Sequence, residues 1–172
     1  FPFTQLVEEL QFCDASGTLV ACCRDGSAHS WLIKDVLAGR ADQSHSVMGH
    51  GSRALTVGIS TDGHWIATGG RDGTVRLWNC DPSGYASEIE LPHQALVAEF
   101  SACGRWMALG CRTADGQALL EVFHVKTGRK LWKSDLSVVS DTVPDEGAHP
   151  WFPFAFHPRK SEMALSRGPG GF

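Results

Sequence analysis

The chain contains short stretches in which apolar and polar residues alternate. In "TVRLW", Val75 and Leu77 alternate with polar neighbours, which is the period of a β-strand with one buried and one wetter face. The stretch directly follows Asp72-Gly73, and Asp-Gly supplies the positive φ that a tight hairpin needs. Little of the chain has a helical period, so the pattern predicts an all-β protein made of antiparallel hairpins.

The same pattern occurs four times along the chain. Each copy has a short strand pattern, a turn and an apolar run, and an arginine follows. The apolar runs of the four copies are Thr18–Cys23, His64–Gly69, Arg105–Cys111 and Glu162–Ser166. The turn glycines Gly17, Gly63 and Gly104 are 46 and 41 residues apart, near the roughly 40–45 residues of one four-stranded propeller blade. The repeat therefore predicts that each copy forms one blade.

The second copy, "GHGSRALTVGISTDGHWIATGGRDGTVRLW", resembles a WD40 repeat. Gly-His stands at its front, and Trp78 ends its third strand 28 residues after His50. The resemblance implies a buried hydrogen-bonded chain formed by His50, Thr68, Asp72 and Trp78. Buried polar groups are costly unless they are paired, so these four side chains are expected to stabilise the blade and not to catalyse a reaction.

The other copies depart from this pattern. The first copy keeps Asp25 and Trp31 but has no Gly-His in front. The third copy has Pro92-His93 in place of Gly-His and Leu109 in place of the Ser or Thr. We therefore expect the polar chain to be broken in the third copy.

These copies predict a single domain over residues 1–172, a partial WD40-type β-propeller. Its predicted parts are blade 1 (about 6–46), blade 2 (about 53–91), blade 3 (about 95–134), an acidic loop (133–150) and the first half of blade 4 (about 151–167). The acidic loop is either a solvated connection or an interaction or lid loop. Closed propellers have about 4–8 blades, and each blade buries its faces against its neighbours. The remaining blades are thus expected either from a longer polypeptide or from a second copy of the chain.

An arginine stands at the equivalent place of every copy, just past the second strand. These arginines are Arg24, Arg71, Arg112 and Arg167. Equivalent positions of successive blades lie on one circle, so the guanidiniums would form a basic arc. Arginine binds carboxylates and phosphates in bidentate fashion, and the arc predicts an acidic or phosphorylated protein or peptide partner. The alternative is that each arginine pairs with an aspartate of a neighbouring blade or is solvated.

Composition narrows the remaining classes of function. With 42% hydrophobic residues, 20% charged residues and a net charge of −4, the chain has no general attraction to nucleic acid or to a membrane surface. The six cysteines form no CxxC pair and the eight histidines show no ligand spacing, so neither a metal site nor a cofactor is predicted. We expect reduced thiols in a cytoplasmic protein, and the redox role of Cys22 and Cys23 stays open.

The sequence contains no GxSxG, HExxH or P-loop motif, which argues against the enzymes that use them. The predicted inner strands carry mainly apolar and small residues. We therefore predict a non-catalytic scaffold for protein–protein interaction. Two alternatives are a sensor or regulatory domain of a larger signalling or effector protein, and a propeller enzyme with its active site in the central channel.

Overall fold

The computed structural model describes residues 6–40, 45–47, 49–80, 85–135, 154–156 and 163–165. In these ranges the chain forms antiparallel sheets, with one short helix, α1 (Ile33–Leu37), and one 3₁₀ turn (Val125–Thr127). No helix in the described part of the chain is long and apolar enough to cross a membrane. The predicted all-β class is confirmed.

Three of the sheets have four strands each, and the strands follow one another in chain order. Blade 1 consists of β1 (Val7–Cys13), β2 (Thr18–Cys23), β3 (Ala28–Leu32) and β4 (His45–Val47). Blade 2 consists of β5 (Ala54–Ile59), β6 (Trp65–Gly70), β7 (Thr74–Asn79) and β8 (Tyr85–Glu90). Blade 3 consists of β9 (Gln94–Phe100), β10 (Trp106–Arg112), β11 (Ala118–His124) and β12 (Arg129–Asp135). A two-stranded hairpin of β13 (Phe154–Phe156) and β14 (Met163–Leu165) follows.

The Asp-Gly turns join the second and third strands of the blades. Gly73 has a φ of +77°, a left-handed conformation that favours glycine. Asp72 accepts hydrogen bonds from the backbone N–H and the hydroxyl of Thr74 at 3.1 and 2.8 Å. Asp25 accepts the same pair of bonds from Ser27 at 3.0 and 2.7 Å. The aspartate therefore holds the turn that the glycine makes sterically accessible.

Successive blades pack face to face through apolar cores. Val20, Val57 and Ile66 belong to the core between blades 1 and 2. Leu77 and Met107, both fully buried, belong to the core between blades 2 and 3. Strand β6 is buried along nearly its whole length, because a neighbouring blade covers each of its faces.

One face of β1 differs from these buried surfaces. Leu10 and Phe12 are 56% and 49% exposed. On the opposite face of the strand, Glu9 accepts hydrogen bonds from Thr56 Oγ1 and Val57 N of blade 2 at 2.7 and 3.0 Å. Since alternate residues of a strand point to opposite faces, Leu10 and Phe12 face away from blade 2. Their face has the apolar character of a surface between blades.

Candidate functional site

The side chains predicted to form a structural chain in blade 2 lie in one hydrogen-bonded path. Trp78 Nε1 donates to Thr68 Oγ1 at 3.3 Å. The same hydroxyl lies 2.9 Å from His50 Nε2, and His50 Nδ1 lies 3.1 Å from Asp72 Oδ1. The Asp72 carboxylate can only accept hydrogen bonds, so the ring nitrogen beside it is the protonated one, and Nε2 accepts the hydroxyl proton of Thr68. His50 then carries its own proton on Nδ1 and donates it to Asp72.

Burial keeps His50 neutral in this path. Desolvation lowers the pKa of His50 below 6.5, although the nearby Asp72 acts in the opposite direction. For Asp72, burial alone would raise the pKa, but hydrogen bonds from Thr74 and the proximity of His50 bring it below 3.8. Asp72 also accepts a hydrogen bond from the backbone N–H of Gly51 at 3.0 Å. The path therefore ties the segment that enters blade 2 to the turn between β6 and β7, which is a structural role.

The predicted basic arc is divided in the structure. Arg24 Nε lies 2.8 Å from Glu8 Oε1, and Arg53 binds the other oxygen of that carboxylate at 2.5 Å. Burial alone would raise the pKa of Glu8, but the two guanidiniums lower it. Arg24 is thus paired within its own blade. The alternative to the basic arc had placed such a partner in a neighbouring blade. Arg167 lies outside the described residues.

The other two arginines line a common groove of about 490 Å³ between blades 2 and 3. Arg71 directly follows β6, and Arg112 is the last residue of β10. The walls also include Leu91 and Pro92 from the connection between the blades. Among the described residues, no acidic side chain forms an ion pair with either arginine. The groove therefore presents two guanidiniums beside a short apolar wall.

Comparison with known families and proteins identifies what the second copy of the repeat is similar to. The family model described as "WD domain, G-beta repeat" matches residues 41–79, a segment that contains every member of the hydrogen-bonded path. Protein groucho of Drosophila melanogaster is 29% identical over 104 residues, which is 60% of this chain and 13% of that protein. The chain therefore contains a WD40 repeat at residues 41–79 and is similar to WD40-repeat proteins.

Solved structures show the fold of this WD40 chain. The structure of the RRP9 WD40 repeats matches with a TM-score of 0.66 and 15% identity, covering 77% of this chain and 39% of that chain. A chain of the mitotic checkpoint complex matches with a TM-score of 0.62 and 20% identity, covering 75% and 38%. The predicted WD40-type β-propeller fold is confirmed, and the WD40 chain spans less than half the length of each of these proteins.

A second groove of the WD40 chain was not predicted from the sequence. It has a volume of about 290 Å³ and is lined by polar residues that include Gln11, Thr61 and Glu99. Burial raises the pKa of Glu99, and the negative charge of Glu9 adds to the rise. Glu99 is the only acidic residue among the described lining residues, and no histidine or cysteine stands beside it there. A pair of groups for acid–base catalysis is therefore missing from the described walls of this groove.

The remaining sequence predictions concern the thiols and the acidic loop. Cys22 and Cys23 are both fully buried, and burial is the main cause that raises the pKa of the Cys22 thiol to about 12. A thiol with so high a pKa is a poor nucleophile at neutral pH. Of the predicted acidic loop, residues 133–135 belong to β12, and residues 136–150 lie outside the described part of the chain.

Proposed function

We propose that this WD40 chain is a non-catalytic interaction module that binds an acidic or phosphorylated segment of a protein partner. The groove between blades 2 and 3 is the binding site in this proposal. The observation that carries it is the pair Arg71 and Arg112, which line one groove and have no acidic partner among the described residues. WD40 propellers commonly serve as protein-interaction scaffolds, and the fold is in keeping with that role.

The groove matches the chemistry of such a partner. Each guanidinium offers a planar fork of N–H donors that fits a carboxylate or phosphate in bidentate geometry. The Asp72 carboxylate also borders the groove, but its oxygens accept hydrogen bonds from Gly51, Thr74 and His50. Leu91 and Pro92 offer apolar surface for the residues on either side of the anionic group. With a net charge of −4, the protein has no general attraction for an anion, so binding depends on local positive charge such as that of these two side chains.

The direct test is a binding titration with fluorescent peptide pools that are acidic, phosphorylated or neutral, followed by charge reversal in the groove. Arg71→Glu and Arg112→Glu are each expected to weaken binding of the best anionic peptide by about tenfold or more, since hydrogen bonds between charged groups contribute roughly 1.5–3 kcal/mol. Binding of the unsubstituted protein should also weaken as the salt concentration rises.

The matched control is Arg105→Glu with Lys126→Glu, which reverses two exposed charges of blade 3 away from the groove. This control is expected to change affinity by less than about twofold. Equal affinity of the groove variants and the unsubstituted protein for every anionic peptide would refute the proposed site.

We further propose that the chain acts as part of a larger propeller, with its remaining blades supplied by a longer polypeptide or by a second copy. The exposed Leu10 and Phe12 face of β1 supports this, as does the 39% coverage of the RRP9 chain. A sensor or regulatory domain within a larger protein, in a reducing compartment such as the cytoplasm, is the context in which this module would operate.

A further inference from the structure

Three buried side chains of blade 3 converge on one point. His93 lies just before β9, Cys111 lies on β10 and Glu121 lies on β11. One ligand atom of each residue, a ring nitrogen, the sulfur and a carboxylate oxygen, lies within 4.8 Å of the other two. Glu121 is fully buried and the His93 side chain is only 3% exposed. A nitrogen, a sulfur and an oxygen ligand therefore meet in the interior of the blade.

The polar atoms of this cluster are only partly satisfied by protein contacts. Lys130 Nζ lies 2.7 Å from Glu121 Oε1, so one carboxylate oxygen is paired. The other oxygen, Oε2, lies 3.2 Å from His93 Nε2, yet neither atom has a properly aligned hydrogen-bond partner among the described residues. Buried polar atoms without a partner are destabilising. A cation held between the two atoms would satisfy both of them.

Comparison with blade 2 explains why this cluster differs from the hydrogen-bonded path. Cys111 pairs with Ala95 across its sheet, as Gly70 pairs with Ala54 in blade 2. A Cβ atom at Gly70 would lie 2.3 Å from His50 Nδ1, so blade 2 accepts only glycine there. Blade 3 has Cys111 at the place of Gly70. Its histidine therefore cannot occupy the position that His50 occupies in blade 2.

Two further replacements change the polar groups of blade 3. Leu109, at the place of Thr68, has no hydroxyl, and Glu121, at the place of Arg76, reverses a charge. The broken polar chain that the sequence predicted for this blade is thus replaced by a different set of polar atoms around His93.

We propose that His93, Cys111 and Glu121 bind one Zn²⁺ ion. Zinc binds imidazole nitrogen, thiolate sulfur and carboxylate oxygen at about 2.0–2.3 Å, which places tetrahedral ligand atoms roughly 3.3–3.6 Å apart. The separation of His93 Nε2 from Glu121 Oε2, 3.2 Å, is close to that spacing. The Cys111 thiol releases its proton to solvent as the sulfur–zinc bond forms. The three side chains leave one position of a tetrahedral zinc site open for a further ligand.

The sequence did not predict this site, because its ligands are 18 and 10 residues apart and lie on three separate elements. Structural zinc sites are usually recognised from pairs of ligands a few residues apart. Here only the antiparallel pairing of β9, β10 and β11 brings the three side chains together.

Cobalt spectroscopy tests the proposal. The purified protein, carrying Cys80→Ser and Cys103→Ser to remove the two exposed thiols, is treated with a chelator and titrated with Co²⁺. We expect one Co²⁺ per chain, with the near-ultraviolet charge-transfer band of a cobalt–thiolate bond, and we expect Zn²⁺ to abolish that band. Cys111→Ser should remove the band, and His93→Asn should weaken Zn²⁺ binding by at least about tenfold.

The matched control is Cys13→Ser, which alters another buried cysteine, on β1, and should leave the band unchanged. A Co²⁺ titration without a thiolate band would overturn the site whether or not the variants fold. A band that persists in Cys111→Ser would overturn it as well.

Discussion

The hydroxyl of Thr68 joins the two halves of the hydrogen-bonded path in blade 2, and its removal gives the sharpest test of that path. Thr68 is 1% exposed and the His50 side chain is equally buried. In Thr68→Val the shape of the side chain is kept, but His50 Nε2 loses the donor that lies 2.9 Å away, and Trp78 Nε1 loses the acceptor that lies 3.3 Å away. Leaving a buried acceptor unpaired costs about 1–3 kcal/mol, so we expect the free energy of unfolding to fall by about 2 kcal/mol.

Urea denaturation measures this change directly. With a slope of about 2 kcal/mol per molar urea, the unfolding midpoint of Thr68→Val should lie about 1 M below that of the unsubstituted protein. Thr68→Ser keeps the hydroxyl and loses one methyl group, so it should cost only about 1 kcal/mol.

Thr127→Val serves as the control: its hydroxyl lies 3.1 Å from His124 Nδ1 and 3.4 Å from Arg129 N, but these contacts are exposed. Water can replace them, so the expected change is below about 0.5 kcal/mol. A midpoint for Thr68→Val within about 0.25 M of the unsubstituted protein would refute the reasoning. The hydroxyl would then contribute nothing that a methyl group cannot replace.

Two further predictions concern pH and assembly. In the unfolded chain His50 takes up a proton as the pH falls past about 6.5. In the folded chain the buried ring resists protonation, because its pKa is lowered. The free energy of unfolding should therefore decrease as the pH falls below about 6.5. His50→Asn should flatten this slope between about pH 7 and 5.5 in urea titrations, and an unchanged slope would contradict the assignment. Leu10 and Phe12 expose an apolar face, so we expect the chain to self-associate through it. Light scattering should then give a solution mass above the 18.6 kDa of one chain. The double variant Leu10→Asp with Phe12→Asp should restore the single-chain mass. A monodisperse single chain without these substitutions would argue that this face does not mediate self-association.

Much of the fold could be predicted from the sequence because its signals are local. The alternation at Val75 and Leu77 specifies a strand with one buried face, and both residues are fully buried. The Asp-Gly turn depends on the φ of a single glycine and on a carboxylate two residues away from its donor. The spacing of the turn glycines then predicts where one blade ends and the next begins along the chain. None of these features requires knowledge of which blade lies beside which.

The proposed binding groove was harder to predict, because the ion pairs of a charged side chain depend on which residues lie near it in the folded chain. Four arginines occupy equivalent positions in the sequence, but Arg24 meets Glu8 from β1 and pairs with it. Arg71 and Arg112 belong to different blades, and they line one groove because those blades pack side by side. The repeat pattern assigns the four arginines the same position in each copy, but the residues around that position differ from blade to blade.

The sequence by itself determined the strands and the turns, since these depend on neighbouring residues. The resemblance of the second copy to a WD40 repeat predicted the hydrogen-bonded path of blade 2. Only the tertiary structure decided which of the described arginines pair with a described acidic side chain, and which buried atoms meet in blade 3. His93, Cys111 and Glu121 come together through strand pairing over 28 residues of chain. The strength of an ion pair or a metal bond depends on distances of a few ångströms, and sequence spacing does not specify such distances across strands.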